Sequence, residues 1–225
     1  MIKIDNLIKK YGSTEVLKGI SVQFEAGKVY GIVGKNGAGK TTLFNCIAGL
    51  EDYKGLISST HSPLKNHLGL LQTEPTFMPR ITGWEYLKLL CIARGIVADG
   101  FDQQNVFELP LHRYAETYST GMKKKLALMG VILQKNEVLI LDEPFNGVDI
   151  QSNILIVELI HRLKAKGKTI LISSHVFSTL RESCDSIFLI EDGRLKTHVQ
   201  KEDYDRLEMD MKSDIITTDL DNLEI

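Results

Sequence analysis

Gly34-Lys35-Asn36-Gly37-Ala38-Gly39-Lys40-Thr41 fits the pattern G-x-x-x-x-G-K-[ST], and its surroundings decide the fold. Ahead of it, Val29-Tyr30-Gly31-Ile32-Val33 reads as a short buried strand. Behind it, Thr42 to Leu50 reads as a helix that stops at Gly49 or just beyond. In that context successive backbone N–H groups point inward at the mouth of a helix, where oxyanions bind. A glycine-rich turn before an ordinary helix is the plainer alternative, and it does not account for both flanks. The stretch predicts a site for a nucleoside triphosphate with magnesium.

Outward from the loop, residues 2–8 and 16–24 alternate as strands, with the polar turn Gly12-Ser13-Thr14 between them. Residues 29–33, 67–71, 138–142 and 169–173 are short apolar runs. Val138-Leu139-Ile140-Leu141 and Thr169-Ile170-Leu171-Ile172 have no polar face, which suits strands covered on both sides of a parallel sheet. Helices are expected over 42–50, 120–134 and 150–166, and the alternation of strand and helix indicates an α/β core. Thr82-Gly83-Trp84-Glu85 is a capping-box pattern that opens a helix through Arg94, offering Trp84, Leu87, Leu90 and Cys91 for burial. Shorter helical pieces are expected from there to Leu111. Ile187–Ile190, Asp192-Gly193 and Leu195–Val199 read as a hairpin.

The organisation expected is one domain over 1–225: a core of about 1–72 and 119–200, a helical insertion of about 73–118, and a tail of about 201–225. The tail carries nine acidic and three basic residues and reads as a short helix with a loose end. There is no internal repeat, and one phosphate loop implies one nucleotide-binding unit.

Composition narrows the class. The 225 residues are 43% hydrophobic and 25% charged, ordinary for a soluble globular chain, and the net charge of −2 gives no basic field for nucleic acid. No apolar run reaches the ~18–20 residues that span a bilayer, so no direct membrane insertion is expected. The N-terminus opens as an alternating strand rather than a signal peptide, which predicts a cytoplasmic protein unless a partner tethers it. Cys46, Cys91 and Cys184 lack metal-site spacing and read as small buried residues.

Chemistry gathers at strand ends. Asp142 closes the apolar strand Val138–Leu141, where α/β sheets place ligands, and can hold magnesium while Thr41 offers its hydroxyl. Lys40 would reach the β- and γ-phosphates. Glu143, followed by the strand-stopping Pro144, is the candidate to orient or deprotonate an attacking water, against the plainer reading of a solvated carboxylate. His175, after Ser173-Ser174, reads equally as a donor to the γ-phosphate or as an ordinary structural histidine. Gln72 reads as an amide able to meet metal or water, or as a common strand-end glutamine. Ser119 is an N-cap candidate for the helix that follows, and that helix end is also a second candidate anion site. Asp149 reads as the N-cap of the helix from Ile150.

Over about residues 1–195 the ordered motifs resemble the ATP-binding cassette family. Gly34–Thr42 resembles its Walker A loop and Gln72 its Q-loop glutamine. Tyr118–Met122 resembles its signature, and Val138–Glu143 its Walker B strand with the catalytic glutamate. Asn146-Gly147-Val148-Asp149 resembles its D-loop, His175 its switch histidine, and Tyr11 the aromatic that stacks on adenine. The resemblance implies a P-loop NTPase core with an N-terminal antiparallel β subdomain and an inserted helical subdomain. It implies ATP and Mg2+ as ligands: Tyr11, Gly34, Lys35, Asn36, Gly37, Ala38, Gly39, Lys40, Thr41 and Thr42 on the nucleotide, Thr41, Gln72 and Asp142 on the metal, Glu143 and His175 in catalysis. It also implies a head-to-tail pair in which Ser119, Gly121 and Asp149 meet the nucleotide of the other chain. The signature departs from Leu-Ser-Gly-Gly-Gln, with Thr120 for a glycine and Met122 for the glutamine, and is similar to signatures of the exporter branch.

The function expected from the resemblance is the ATP-hydrolysing subunit of a membrane transporter. Its partners would be a separate transmembrane permease and a second copy of the cassette, with the chain peripheral at the inner face of the membrane. A soluble ATP-driven clamp in translation or DNA repair is the alternative. A small-molecule kinase is a third reading, disfavoured by the signature and by the Gln72 and His175 spacing.

Overall fold

The computed structural model describes residues 1–97, 99–174 and 177–209; His175 and the tail from 210 onward lie outside the described residues. The alternating N-terminal segments form β1 (Ile2–Tyr11) and β2 (Thr14–Phe24), paired antiparallel. They run longer than the pattern suggests, because pairing carries on past the apolar residues to the turn. A third strand, β4 (Lys54–Ser59), joins the free edge of β1 after β3 (Val29–Val33) and α1 (Lys40–Ala48) have intervened. This small sheet has the order β2-β1-β4.

The second sheet adds β5 (Leu68–Leu71), β6 (Val138–Asp142), β7 (Thr169–Ser173), β8 (Ser186–Glu191) and β9 (Arg194–Gln200) to β3, in the order β5-β6-β7-β3-β8-β9. The first five are parallel, and β9 returns antiparallel from the expected hairpin. The helices that follow α1 are α2 (Gly83–Ala93), α3 (Thr120–Leu133), α4 (Ile150–Ala165) and the short α5 (Phe177–Ser183), and residues 204–209 at the start of the tail are helical as well.

Strand alternation splits the core in two. Side chains two residues apart share a face, so Val29 and Val33, Leu139 and Leu141, and Ile170 and Ile172 pack toward the α3 and α4 side. Tyr30 and Ile32, Val138 and Ile140, and Leu171 pack with Leu43 and Phe44 of α1 and with Ile4, Leu17 and Phe24 of the small sheet. Every residue of β3, β6 and β7 is buried, the physical reason these runs carry no polar face.

The stretch from Arg94 to Leu111 corrects an expectation: α2 ends at Ala93, and among the described residues that follow there are turns instead of further helical pieces. Asn105 holds these turns, its amide donating to the Leu109 carbonyl at 2.7 Å and its carbonyl oxygen accepting the Leu109 N–H at 3.0 Å. Side-chain bonds of this kind offer the backbone an alternative to helix. The capping box forms as the pattern predicts: Thr82 Oγ1 accepts the Glu85 N–H at 3.2 Å, and Glu85 Oε2 accepts the Thr82 N–H at 2.8 Å. Leu87 and Cys91 are buried, whereas Trp84 and Leu90 are half-buried.

Candidate active site

Because β3, β5, β6 and β7 are parallel, their carboxyl ends lie along one edge of the sheet. That edge brings Gly34, Gln72, Asp142 and Ser173 into one neighbourhood, with Asp142 directly in register with Ser173. A cleft of about 360 Å³ opens there, lined by Val16, Asn36, Gly37, Gly39, Lys40, Thr41, Thr42, Thr73 and Glu143. A second hollow of about 300 Å³ is lined by Thr41, Asn45, Leu70, Gln72, Thr73, Glu74 and Asp142, and it shares Thr41 and Thr73 with the first.

The loop is shaped for anions. The N-cap of α1 is Gly39, which has no side chain to bond the first N–H groups, and the first turn carries no acidic residue. By contrast α2, α3 and α4 are capped by Thr82, Ser119 and Asp149. The orphan donors at the start of α1 therefore face the loop, where a phosphate can take them. Gly34 is required by space: a Cβ there would lie 2.2 Å from the Ile190 carbonyl oxygen. Lys40 is 7% exposed and donates to the carbonyls of Gly34 at 2.8 Å and Lys35 at 3.3 Å. Burial pulls its pKa below the usual lysine value, against the opposing pull of Glu143 and Asp142. Ala38 closes the turn with its N–H on the Lys35 carbonyl at 3.1 Å.

Asp142 is the hub. Its Oδ2 accepts from Thr41 Oγ1 at 2.7 Å and from Thr73 Oγ1 at 2.6 Å, and its Oδ1 accepts from the Ser173 hydroxyl. Sequence reasoning missed Thr73 and Ser173. Their only signal is position, one just past the end of β5 and the other the last residue of β7. One carboxylate among hydroxyls, with Gln72 lining the same hollow, is a hard oxygen donor set. Magnesium is usually bound by one or two carboxylates plus substrate phosphates rather than by a protein cage, so these residues fit it. Among the described residues no three His, Cys, Asp or Glu side chains gather as a metal cage.

Glu143 is 6% exposed and turns the chain out of β6 with a left-handed φ of 51°. That conformation is uncommon for a residue with a side chain and gathers at functional sites. Its N–H donates to Ser173 Oγ at 2.9 Å, which fixes the turn, and the residue lines the phosphate cleft.

Tyr11 ends β1, is 45% exposed, and lines neither hollow; Lys9 Nζ lies 4.7 Å from its ring centroid, and burial together with the neighbouring Glu51 raises its phenol pKa.

Ser119, Gly121 and Asp149 line neither hollow but stand together elsewhere. Ser119 Oγ accepts the Met122 N–H at 3.3 Å, and Asp149 accepts the Ser152 N–H at 2.9 Å. Lys125 reaches from α3 to Asp149 at 3.1 Å. The Ser152 N–H and hydroxyl, with Lys125, hold the Asp149 carboxyl well below the usual carboxylate range. Gly121 lies against Gly147, where a Cβ would come 2.5 Å from the Gly147 carbonyl oxygen.

The family model described as ABC transporter matches residues 17–146. The bacitracin transport ATP-binding protein BcrA of Enterococcus faecalis is 33% identical over 216 residues, covering 88% of this chain and 69% of that protein. A solved structure of the ATP-binding subunit of an ABC transporter superposes with a TM-score of 0.83 at 26% identity, covering 97% of this chain and all of that one. The fold is shared too with a dimeric ATP-binding cassette in a post-hydrolysis state bound to ADP and phosphate, with a TM-score of 0.80 at 20% identity over 89% of this chain and 99% of that one. The chain belongs to the ABC transporter family, as an ATP-binding, ATP-hydrolysing subunit.

Proposed function

We propose that this ATPase binds Mg2+ with ATP at the Asp142 hub, pairs head to tail with a second copy, and energises a separate transmembrane permease at the cytoplasmic face of a membrane. The observation that carries the site assignment is the convergence of Thr41 and Thr73 on one oxygen of Asp142 at the mouth of the phosphate loop, with Glu143 on the same cleft. The uncapped start of α1 and the Lys40 ammonium take the phosphate charge. Bound magnesium would neutralise charge developing on the β- and γ-oxygens. Glu143 accepts the proton of the water that attacks the γ-phosphorus, and ADP leaves. Tyr11 stacks on the base. Ser119 and Gly121 of one copy complete the γ-phosphate site of the other, Asp149 lies at the same joint, and His175 serves as the switch donor. Cleaving the γ-phosphate removes that joint, so opening and closing follow hydrolysis.

The bacitracin-transport relative and the signature beginning Ser119-Thr120-Gly121-Met122 favour transport over the soluble clamp, with an exporter's cargo. No helix among the described residues is long and apolar enough to cross a membrane. Purification from detergent-solubilised membranes tests this. Co-isolation of one membrane protein with ATP-dependent phosphate release supports transport. Co-isolation with ribosomes or DNA, and with no membrane protein, contradicts it.

A further inference from the structure

Lys124 is an ionisable side chain with no task in the mechanism above. It stands on α3, the helix that begins after Ser119, yet it is only 2% exposed. An ammonium leaves water only where partners replace the lost hydration. Its partners here are two main-chain carbonyls just past the end of β5: Nζ donates to Gln72 O at 3.4 Å and to Thr73 O. Asp142, Glu143 and Glu74 are the carboxylates whose charge it feels. Thr73 is therefore held on both sides. Lys124 grips its carbonyl, while its hydroxyl donates to Asp142 Oδ2 at 2.6 Å, the same oxygen that accepts from Thr41.

We propose that Lys124 is a positioning residue for ATP hydrolysis: through Thr73 it fixes the Asp142 carboxylate to the head of α3, so that a phosphate seated on Ser119 is felt at the hub. A side-chain network that spans two elements passes displacement from one to the other when both are rigid, and α3 and β6 are regular and packed in one core. The proposal rests on the reading of Asp142 as the metal carboxylate.

The test measures kcat per nucleotide-binding molecule, with ATP affinity alongside, in Lys124→Met, Lys124→Gln, Thr73→Val and the Thr73→Val/Lys124→Gln double variant. Glutamine keeps a polar head at a shorter reach, which guards against a mere folding failure. Both Lys124 variants are expected to lose about 10–100-fold in kcat, as outer-shell partners of metal ligands do, with ATP affinity changed less than about twofold. The double variant should be no slower than the slower single, because the two residues act in series. Wild-type kcat with only a lowered melting temperature, or additive losses in the double variant, overturns the proposal; so does failure of both Lys124 variants to fold, which makes the residue a structural lock. Asp142→Asn is the control. If it hydrolyses ATP normally, the reading of the site falls and this proposal with it. If it is inactive while Lys124→Gln is normal, this proposal alone falls.

Discussion

Thr41 Oγ1 donates to Asp142 Oδ2 at 2.7 Å, a bond that joins the first turn of α1 to the last residue of β6 across 101 positions of sequence. It ties the phosphate loop to the acidic strand end. Thr73, just past the end of β5, and Ser173, the last residue of β7, donate to the same carboxylate, so neighbouring parallel strands are fastened at the edge where the chemistry takes place. A site prepared in this way spends little binding energy on reorganisation.

Lys40 tests the phosphate cradle. Its ammonium rests on the Gly34 and Lys35 carbonyls and is free to exchange them for phosphate oxygens. A hydrogen bond to a charged group is worth about 1.5–3 kcal/mol, so Lys40→Ala should weaken ATP binding by about 10–100-fold. Calorimetric titration reads this directly, and unchanged affinity removes the lysine from the site.

Glu143 tests the chemistry. Replacing it with Gln keeps the shape of the turn and removes the base. Turnover should fall by about 10²–10⁴, while ATP affinity holds and a nucleotide-bound dimer accumulates on size-exclusion chromatography. Normal turnover means that another group takes the proton.

Gly121 tests the packing beneath the signature. A Cβ at 2.5 Å from the Gly147 oxygen must push the 146–149 segment off α3. Overpacking of this kind costs about 1–3 kcal/mol, so Gly121→Ala should lower the melting temperature in scanning calorimetry and slow hydrolysis. A variant with both properties intact would show that the segment yields freely.

Asp185 sets an acid limit on stability. Burial pushes its pKa up, but the Lys164 ammonium and the Val29 N–H, at 2.9 Å, outweigh burial and hold the carboxyl below the usual value. A folded pKa below the unfolded one, about 3.9, contributes stability above that pH and loses it as the pH falls through the folded value. Asp185→Asn should therefore melt lower than wild type at pH 7, with the gap closing below about pH 4. A gap that is constant with pH would assign the effect to packing instead of charge.

The sequence made the buried parallel strands legible because each is apolar throughout, and the caps at Ser119, Thr82 and Asp149 legible because a short polar side chain precedes each helix. The strand β4 was not legible: it is largely exposed, has no alternating apolar face, and is held by main-chain pairing to β1. The stretch after α2 reads as helical pieces because no strand-like run interrupts it, yet Asn105 holds turns there. In the site, charged and glycine positions carry patterns, whereas Thr73 and Ser173 carry none. Only the parallel register, which sets Ser173 opposite Asp142, and the ending of β5 just before Gln72 bring them to the hub.

The central claim is that ATP joins two copies of this chain between the phosphate loop of one and Ser119 of the other. Mixing an Asn36→Cys chain with a Ser119→Cys chain, both carrying Glu143→Gln, tests it most directly. The three native cysteines are buried, and two engineered ones can bridge only when their Cα atoms come within about 7 Å. The account predicts a disulfide-linked heterodimer that forms with ATP and not without it. Saturating ATP with no cross-link, or an equal yield without nucleotide, contradicts it.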